Sequence, residues 1–416
     1  MDFLFLEPTT ILIIAAVFGF FMAFGIGAND VANSMGTSVG SRALTIKQAI
    51  IVAAVFEFLG AFLAGGEVTS TIRKGIVDPA LYANDVNIFI LGMLASLLAG
   101  GTWLYIASAR GWPVSTTHSI VGAIIGFVLI TKGVDAVSWG KVSTIAMSWV
   151  TSPLFSGIFA FVIYISAKKL ILDRQNPAEA AIKFIPLYAF YVAIVLALVT
   201  VRKGLKHVGI DLSETEIYSY TLIFGDLVSF GSAYLLRANR ERIMQANGIE
   251  YAFGLLMIVS ASAMAFAHGS NDVANAIGPL AAIVSVVSTG GVAAKSAIPI
   301  WILFVGGVGI VIGLAMLGYK VIGTVGRKIT ELTPSLGFSA EIATASTVVA
   351  ATYLGFPIST THTLVGGVIG VGLAKGVEHL NLSSIGKIIT SWLVTIPAGA
   401  SFTVLFYVLL RVLTNQ

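Results

Sequence analysis

Ala28-Asn29-Asp30-Val31-Ala32-Asn33-Ser34 returns 242 positions later as Ser270-Asn271-Asp272-Val273-Ala274-Asn275-Ala276. A second block, Pro113-Val114-Ser115-Thr116-Thr117-His118-Ser119, recurs 244 positions later as Pro357-Ile358-Ser359-Thr360-Thr361-His362-Thr363. Both polar blocks lie in a chain of 416 residues that is 57% hydrophobic and only 11% charged. Soluble domains carry roughly 45–50% apolar and about 25% charged residues. Polar groups at membrane depth are expensive and are read as functional. Their duplication at nearly one offset matches carriers whose midplane site is built from internal repeats.

A membrane-spanning helix needs about 20 mostly apolar residues. Such spans are expected near 10–27, 48–66, 88–109, 142–167, 184–201, 217–235, 250–267, 297–318, 341–355 and 384–410. The segments 114–131, 279–294 and 358–374 are shorter or interrupted by Gly and Pro, so each reads as a full span or as half of a re-entrant pair. The fold class is therefore an all-α polytopic membrane protein of about a dozen transmembrane segments. The alternating ten-residue pattern of a β-barrel is absent.

The N-terminal stretch carries Asp2 and Glu7 rather than a basic region and runs straight into the first polar block, so a retained first span is expected rather than a cleaved signal. The chain has no cysteine, which removes disulfides and thiolate metal sites. Its formal charge of +4 includes no basic run of the kind that binds nucleic acid.

The repeats divide the chain into a first half, 1–167, a connecting section, 168–249, with two spans, and a second half, 250–416. Ser148-Trp149 before Pro153 is echoed by Ser391-Trp392 before Pro397. Lys168, Lys169, Arg174 and Lys183 precede the connecting section, and Arg237, Arg240 and Arg242 close it, so both its ends are expected in the cytoplasm. Its middle loop balances Arg202, Lys203 and Lys206 against Asp211, Glu214 and Glu216 and is expected outside. The halves then enter the membrane from opposite sides as inverted repeats. Lys320, Arg327 and Lys328 compete with Arg73 and Lys74 in this count, and a parallel duplication is the alternative.

In the first block an apolar span runs into Asn and Asp among small residues. Asn and Asp compete for backbone groups, and glycine tolerates unwound backbone, so a broken helix is expected there. In the second half Pro279 is expected to stop the helix. Pro113 and Pro357 suit a first helical turn, and the following hydroxyls suit an N-terminal cap. Two half-helices starting at Ser115-Thr116-Thr117 and Ser359-Thr360-Thr361 would aim free N–H groups and dipole ends at one anion. Asn29, Asn33, Ser34, Asn271 and Asn275 are further candidate anion contacts. The four blocks contain no Arg or Lys. Asp30 and Asp272 would repel an anion unless cations lie between them, or unless they accept hydrogen bonds from a protonated anion.

These blocks resemble the paired signature of the inorganic phosphate transporter family, PiT. The resemblance continues through Gly36-Thr37-Ser38-Val39-Gly40-Ser41, Phe56-Glu57, Thr71-Ile72-Arg73-Lys74-Gly75-Ile76 and Gly337-Phe338-Ser339-Ala340-Glu341, and so covers both halves. The wording of 27–82 is most similar to the sodium-dependent branch. The resemblance implies a secondary symporter for inorganic phosphate, coupled to sodium by alternating access, in the plasma membrane and as a homodimer. It implies roles for Asp30, Glu57, Ser115, Asp272, Glu341 and Ser359, with Asp30, Asn29, Asp272, Asn271, Ser115 and Ser359 as sodium ligands. The long central cytoplasmic domain of eukaryotic relatives is missing. No cofactor beyond sodium ions and no enzymatic activity is expected. A proton-coupled phosphate carrier and a sulfate permease are the alternatives; phosphate carries a proton to donate to a carboxylate, which sulfate at neutral pH does not.

Several residues carry two readings. Glu57 lies mid-span without a neighbouring base, as a functional acid or as one member of a buried pair. Glu341 reads as a transport residue or as an acid favouring a helix N-terminus. His118 and His362 read as proton relays or as neutral anchors of the half-helices. Asp226 belongs to the unduplicated connector and reads as structural or at an interface, and Trp149 and Trp392 as packing anchors.

Overall fold

The computed structural model describes residues 4–66, 78–201, 212–292 and 298–416. The Thr71–Ile76 motif and the loop residues Arg202, Lys203, Lys206 and Asp211 lie outside the described residues. Regular structure among those described is helical throughout. In chain order it comprises α1 (Pro8–Gly40), α2 (Ile46–Ala64), α3 (Val86–Ala109), α4 (Thr116–Lys132), α5 (Trp139–Ala167), α6 (Pro177–Val199) and α7 (Glu214–Ala238). After a single helical turn at Arg240–Ile243 come α8 (Gly248–Asp272), α9 (Ala274–Thr289), α10 (Ile300–Lys328), α11 (Pro334–Leu354), α12 (Thr360–Lys375) and α13 (Leu382–Leu413). Eight helices among the described residues are long and apolar enough to cross a bilayer, with α8 and α9 taken as one. The shorter expected segments fold as α4, α9 and α12, except for 293–294, which are not described.

The expected break in the first polar block is absent. α1 runs for 33 residues, with Pro8 in its first turn and Asn29, Asp30 and Asn33 in its interior. At 1.5 Å per residue it is about 50 Å long. Asn29 and Asn33 find partners on neighbouring elements, so their amides do not compete for its own backbone. In the second half the interruption is a single residue, Val273, with φ −55° and ψ −30°, whose N–H still donates to Gly269 O at 3.4 Å. Pro279 does not stop the chain but lies inside α9.

Small residues let these helices approach at backbone distance, the usual means of packing in a membrane. A Cβ at Gly27 would lie 1.9 Å from Ile310 O, and one at Gly313 would lie 1.9 Å from Phe24 O. α8 meets α2 in the same way, Gly269 against Glu57 O and Gly60 against Phe266 O.

The two halves trade partners. Gly366 and Gly370 seat α12 on Pro153 and Gly157 of α5. Gly122 and Gly126 seat α4 on Ile396 and Ala400 of α13. At one end of the bundle Arg42 lines a cavity with Thr330–Pro334, Glu250 accepts from Ser335 N–H, Asn381 N–H donates to Ile329 O, and Arg240 pairs with Glu179. At the other end Lys132 pairs with Asp85 and Asn87 donates to Gln416.

Candidate anion and cation site

Each half-helix begins as its sequence dictates. Ser115 is extended (φ −89°, ψ 120°) and accepts from His118 N–H at 3.2 Å; Ser359 (φ −89°, ψ 111°) accepts from His362 N–H at 3.2 Å. Pro113 and Pro357 stand in the linkers ahead of these caps rather than in the first helical turn. The capped ends are buried: Thr116, Thr117, Thr360 and Thr361 are no more than 2% exposed.

The duplicated asparagines divide into two tasks. Asn29 holds the linker before α4: its amide donates to Ser108 Oγ at 3.1 Å and to Trp112 O at 2.8 Å, and its carbonyl accepts from Val114 N–H at 3.0 Å. Asn271 holds the linker before α12 through Thr352 Oγ1 at 3.0 Å and Phe356 O at 3.4 Å. Both side chains are thus engaged with linkers, while Asn33 and Asn275 reach across to the opposite half. Asn33 donates to Thr361 Oγ1 at 2.8 Å and Thr360 Oγ1 at 3.2 Å, and Asn275 donates to Thr117 and Thr116 Oγ1, both at 3.4 Å. Thr361 in turn donates to Val114 O, and Thr117 to Ile358 O.

A buried group left without its partner costs about 1–3 kcal/mol. Asn29→Ala is therefore expected to lower the thermal unfolding temperature in detergent, and Asn271→Ala, whose bonds are fewer and longer, to lower it less. An equal or reversed order would show that the linkers are held by something else.

Between the half-helices lie the acids. Asp30 Oδ1 accepts from Asn33 Nδ2 at 3.1 Å and from Thr361 Oγ1 at 3.4 Å; Asp272 Oδ2 accepts from Thr360 Oγ1 at 2.6 Å. Glu57 accepts from Ser34 Oγ at 2.7 Å. Among these three acids stands His268, fully buried on α8. Its Nε2 lies 3.0 Å from Asp272 Oδ2 and 3.8 Å from Asp30 Oδ2, and its Nδ1 lies 3.2 Å from Glu57 Oε1. His268 belongs to neither duplicated block. Its signal was present: an unduplicated histidine inside a span, four residues before Asp272, on one helical face with it. The remaining oxygens Asp30 Oδ2, Glu57 Oε2 and Asp272 Oδ1 are buried without a hydrogen-bond partner.

Other expected residues fall elsewhere. Glu341 does not sit at a helix N-terminus but inside α11, fully buried, where Thr37 Oγ1 and Ser38 Oγ each donate at 2.8 Å and Ser260 donates as well. His118 and His362 pack ring to ring at 4.5 Å, each with Nδ1 facing a carbonyl of the other half: Trp392 O at 3.3 Å and Trp149 O at 3.2 Å. The anchor reading describes this geometry. Asp226 is exposed on α7.

The donor set fits a small cation. Ligand atoms of Asp30, His268 and Asp272 all lie within 4.8 Å of one another. Buried carboxylate oxygens without a hydrogen-bond partner are what a hard cation binds, and the adjoining N-terminal ends suit an oxyanion. Groups suited to an oxyanion and to a cation, enclosed by membrane-length helices, are the architecture of a multi-pass membrane transporter.

The chain belongs to the phosphate transporter family, whose model matches residues 26–403. It is 51% identical over 407 residues to a Haemophilus influenzae protein named as a phosphate permease, covering 97% of both chains. It is 43% identical over 413 residues to the inorganic phosphate transporter 2-1, chloroplastic, of Arabidopsis thaliana, covering 94% of this chain and 70% of that one. A solved structure described as the sodium-dependent phosphate transporter superposes with a TM-score of 0.90 at 40% identity, covering 97% of this chain and 99% of the other.

Proposed function

We propose that this chain is a secondary carrier, not an enzyme, that imports inorganic phosphate together with sodium across the plasma membrane. The observation that carries this reading is the convergence of two hydroxyl-capped helix ends, one from each half, on Asp30 and Asp272. Phosphate would be held by the N-termini of α4 and α12 and their threonines, and sodium by the carboxylates. Sodium then offsets the repulsion between carboxylate and phosphate, and each solute strengthens binding of the other by the same factor.

Alternating access would follow from an inverted relation between the halves. Two features support that relation: the traded contacts between half-helices and asparagines, and the opposed courses of α1 and α8–α9. The loops joined by Arg42, Arg240 and Glu250 then form the cytoplasmic end. Homodimerisation completes the reading, and cross-linking in native membranes tests it.

Radiolabelled phosphate uptake into proteoliposomes is the deciding experiment. An imposed sodium gradient should drive saturable uptake that excess sulfate competes with poorly. Equal competition by sulfate would overturn the substrate, and uptake driven by a proton gradient alone would overturn the coupling ion. One observation favours that second coupling: His268 among three carboxylates is a place where a proton can be held.

A further inference from the structure

Residues 110–114 of the linker before α4 line a cavity of about 530 Å³. Arg110 and Lys387 line it together with Trp103, Trp112, Ser384 and Ser391. Among the described residues neither Arg110 nor Lys387 pairs with a carboxylate, and the Arg110 guanidinium stacks over the Trp112 ring at 5.3 Å. The indole N–H of Trp103 is buried without a partner. Both cations are exposed, and a concave wall that carries two of them beside an indole ring suits an anion through charge-assisted hydrogen bonds.

The cations are specific to this end of the molecule. Gly111 and Gly355 both take left-handed backbone, with φ of 67° and 72°, which puts the two linkers in register. Trp112 then matches Phe356, and their carbonyls receive Asn29 and Asn271 respectively. Arg110 matches Leu354 and Lys387 matches Thr144; Lys141 stands where the cavity has Ser384. The central contacts are shared by both halves, whereas the Arg–Lys pair belongs to one. The cavity also touches the site mechanically. Asn29 donates to Trp112 O, and Ser391 donates to Pro113 O at 3.3 Å, one residue before the linker turns into Val114 and Ser115.

We propose that this cavity is a second, weaker binding site for a phosphate group, placed where an anion leaving or approaching the α4 N-terminus on that face is held by Arg110 and Lys387. Free inorganic phosphate and a phospholipid headgroup share this chemistry. The inference rests on the reading of the central site only for the identity of the transported anion.

The test is equilibrium binding of labelled inorganic phosphate to the purified full chain in lipid-free detergent, with phospholipid content measured in parallel. Wild type should show a tight, sodium-stimulated class and a weak class. The Arg110→Gln/Lys387→Gln variant should weaken the weak class by roughly tenfold or more, as loss of charge-assisted bonds implies, and keep the tight one. Asp272→Asn should do the reverse. If the double variant leaves phosphate binding unchanged but loses co-purified phospholipid, the site stands with lipid phosphate as its occupant. If it changes neither, the proposal is overturned. If the weak class responds as stated while Asp272→Asn keeps the tight class, the reading of the central site fails and the second site remains.

Discussion

Sodium-stimulated phosphate uptake is expected to fall by roughly a hundredfold or more in Asp272→Asn, on the scale of removing one partner of a buried charged pair. The substitution keeps the shape of the side chain and an oxygen to accept from Thr360, but removes the charge beside His268. Asp30→Asn should behave alike, since an amide oxygen can still receive Asn33. Thr360→Val is the comparison that separates charge from hydrogen bonding. It takes away one donor to Asp272, should cost roughly tenfold, and should leave the dependence on sodium concentration intact. Uptake in proteoliposomes at varied sodium, beside the yield of folded protein, measures all three. Normal sodium dependence in both Asp variants would remove the carboxylates from the cation site. The proton-coupled reading through His268 and Glu57 would then lead.

The second large effect concerns assembly. Gly27→Val and Gly313→Val put side chains where Ile310 O and Phe24 O already stand 1.9 Å from an added Cβ. The obstacle is helix backbone, not a side chain that can swing away, so α1 and α10 must separate along much of their length. Overpacking of even a few methyl groups costs about 1–3 kcal/mol, and here the contact cannot relax locally. Little folded protein should be recovered on size-exclusion chromatography in detergent. Gly231→Val, with no atom within 4 Å of its added Cβ, should elute as wild type. Wild-type elution of the Gly27 and Gly313 variants would mean that these helices do not pack at backbone distance.

Much of this was legible because the signals were local. The apolar runs gave the helices, and the patterns Pro-Val-Ser-Thr-Thr and Pro-Ile-Ser-Thr-Thr placed Ser115 and Ser359 at N-caps, where short-range hydrogen bonding decides. The misplaced features depend on distant residues. Asn29 reads as a helix breaker when only its neighbours are considered, yet its partners are 79 to 85 positions away. Pro279 reads as a stop, but prolines also stand inside helices at Pro153, Pro186 and Pro397, and a membrane helix tolerates them when neighbouring groups take up the freed backbone. His268 does not stand out from the duplication, because its counterpart in the first half, Ile26, carries no polar group. Glu57 and Glu341 show the same one-sidedness. The scaffold of the site follows the repeat, while His268, Glu57 and Glu341 depart from it.

The bonds from Asn33 to Thr360 and Thr361 span 327 and 328 positions of sequence. That separation has a consequence for the order of synthesis. A ribosome delivers α1 to the membrane long before the segment that receives its asparagine exists. Through most of translation Asp30 and Asn33 must stay beside water, lipid headgroups or the insertion machinery. Contacts so remote in sequence form slowly, because chain entropy must be lost before they give anything back. The nascent protein therefore passes through a long interval as an inserted but unsealed bundle, and closes only when its final helices arrive.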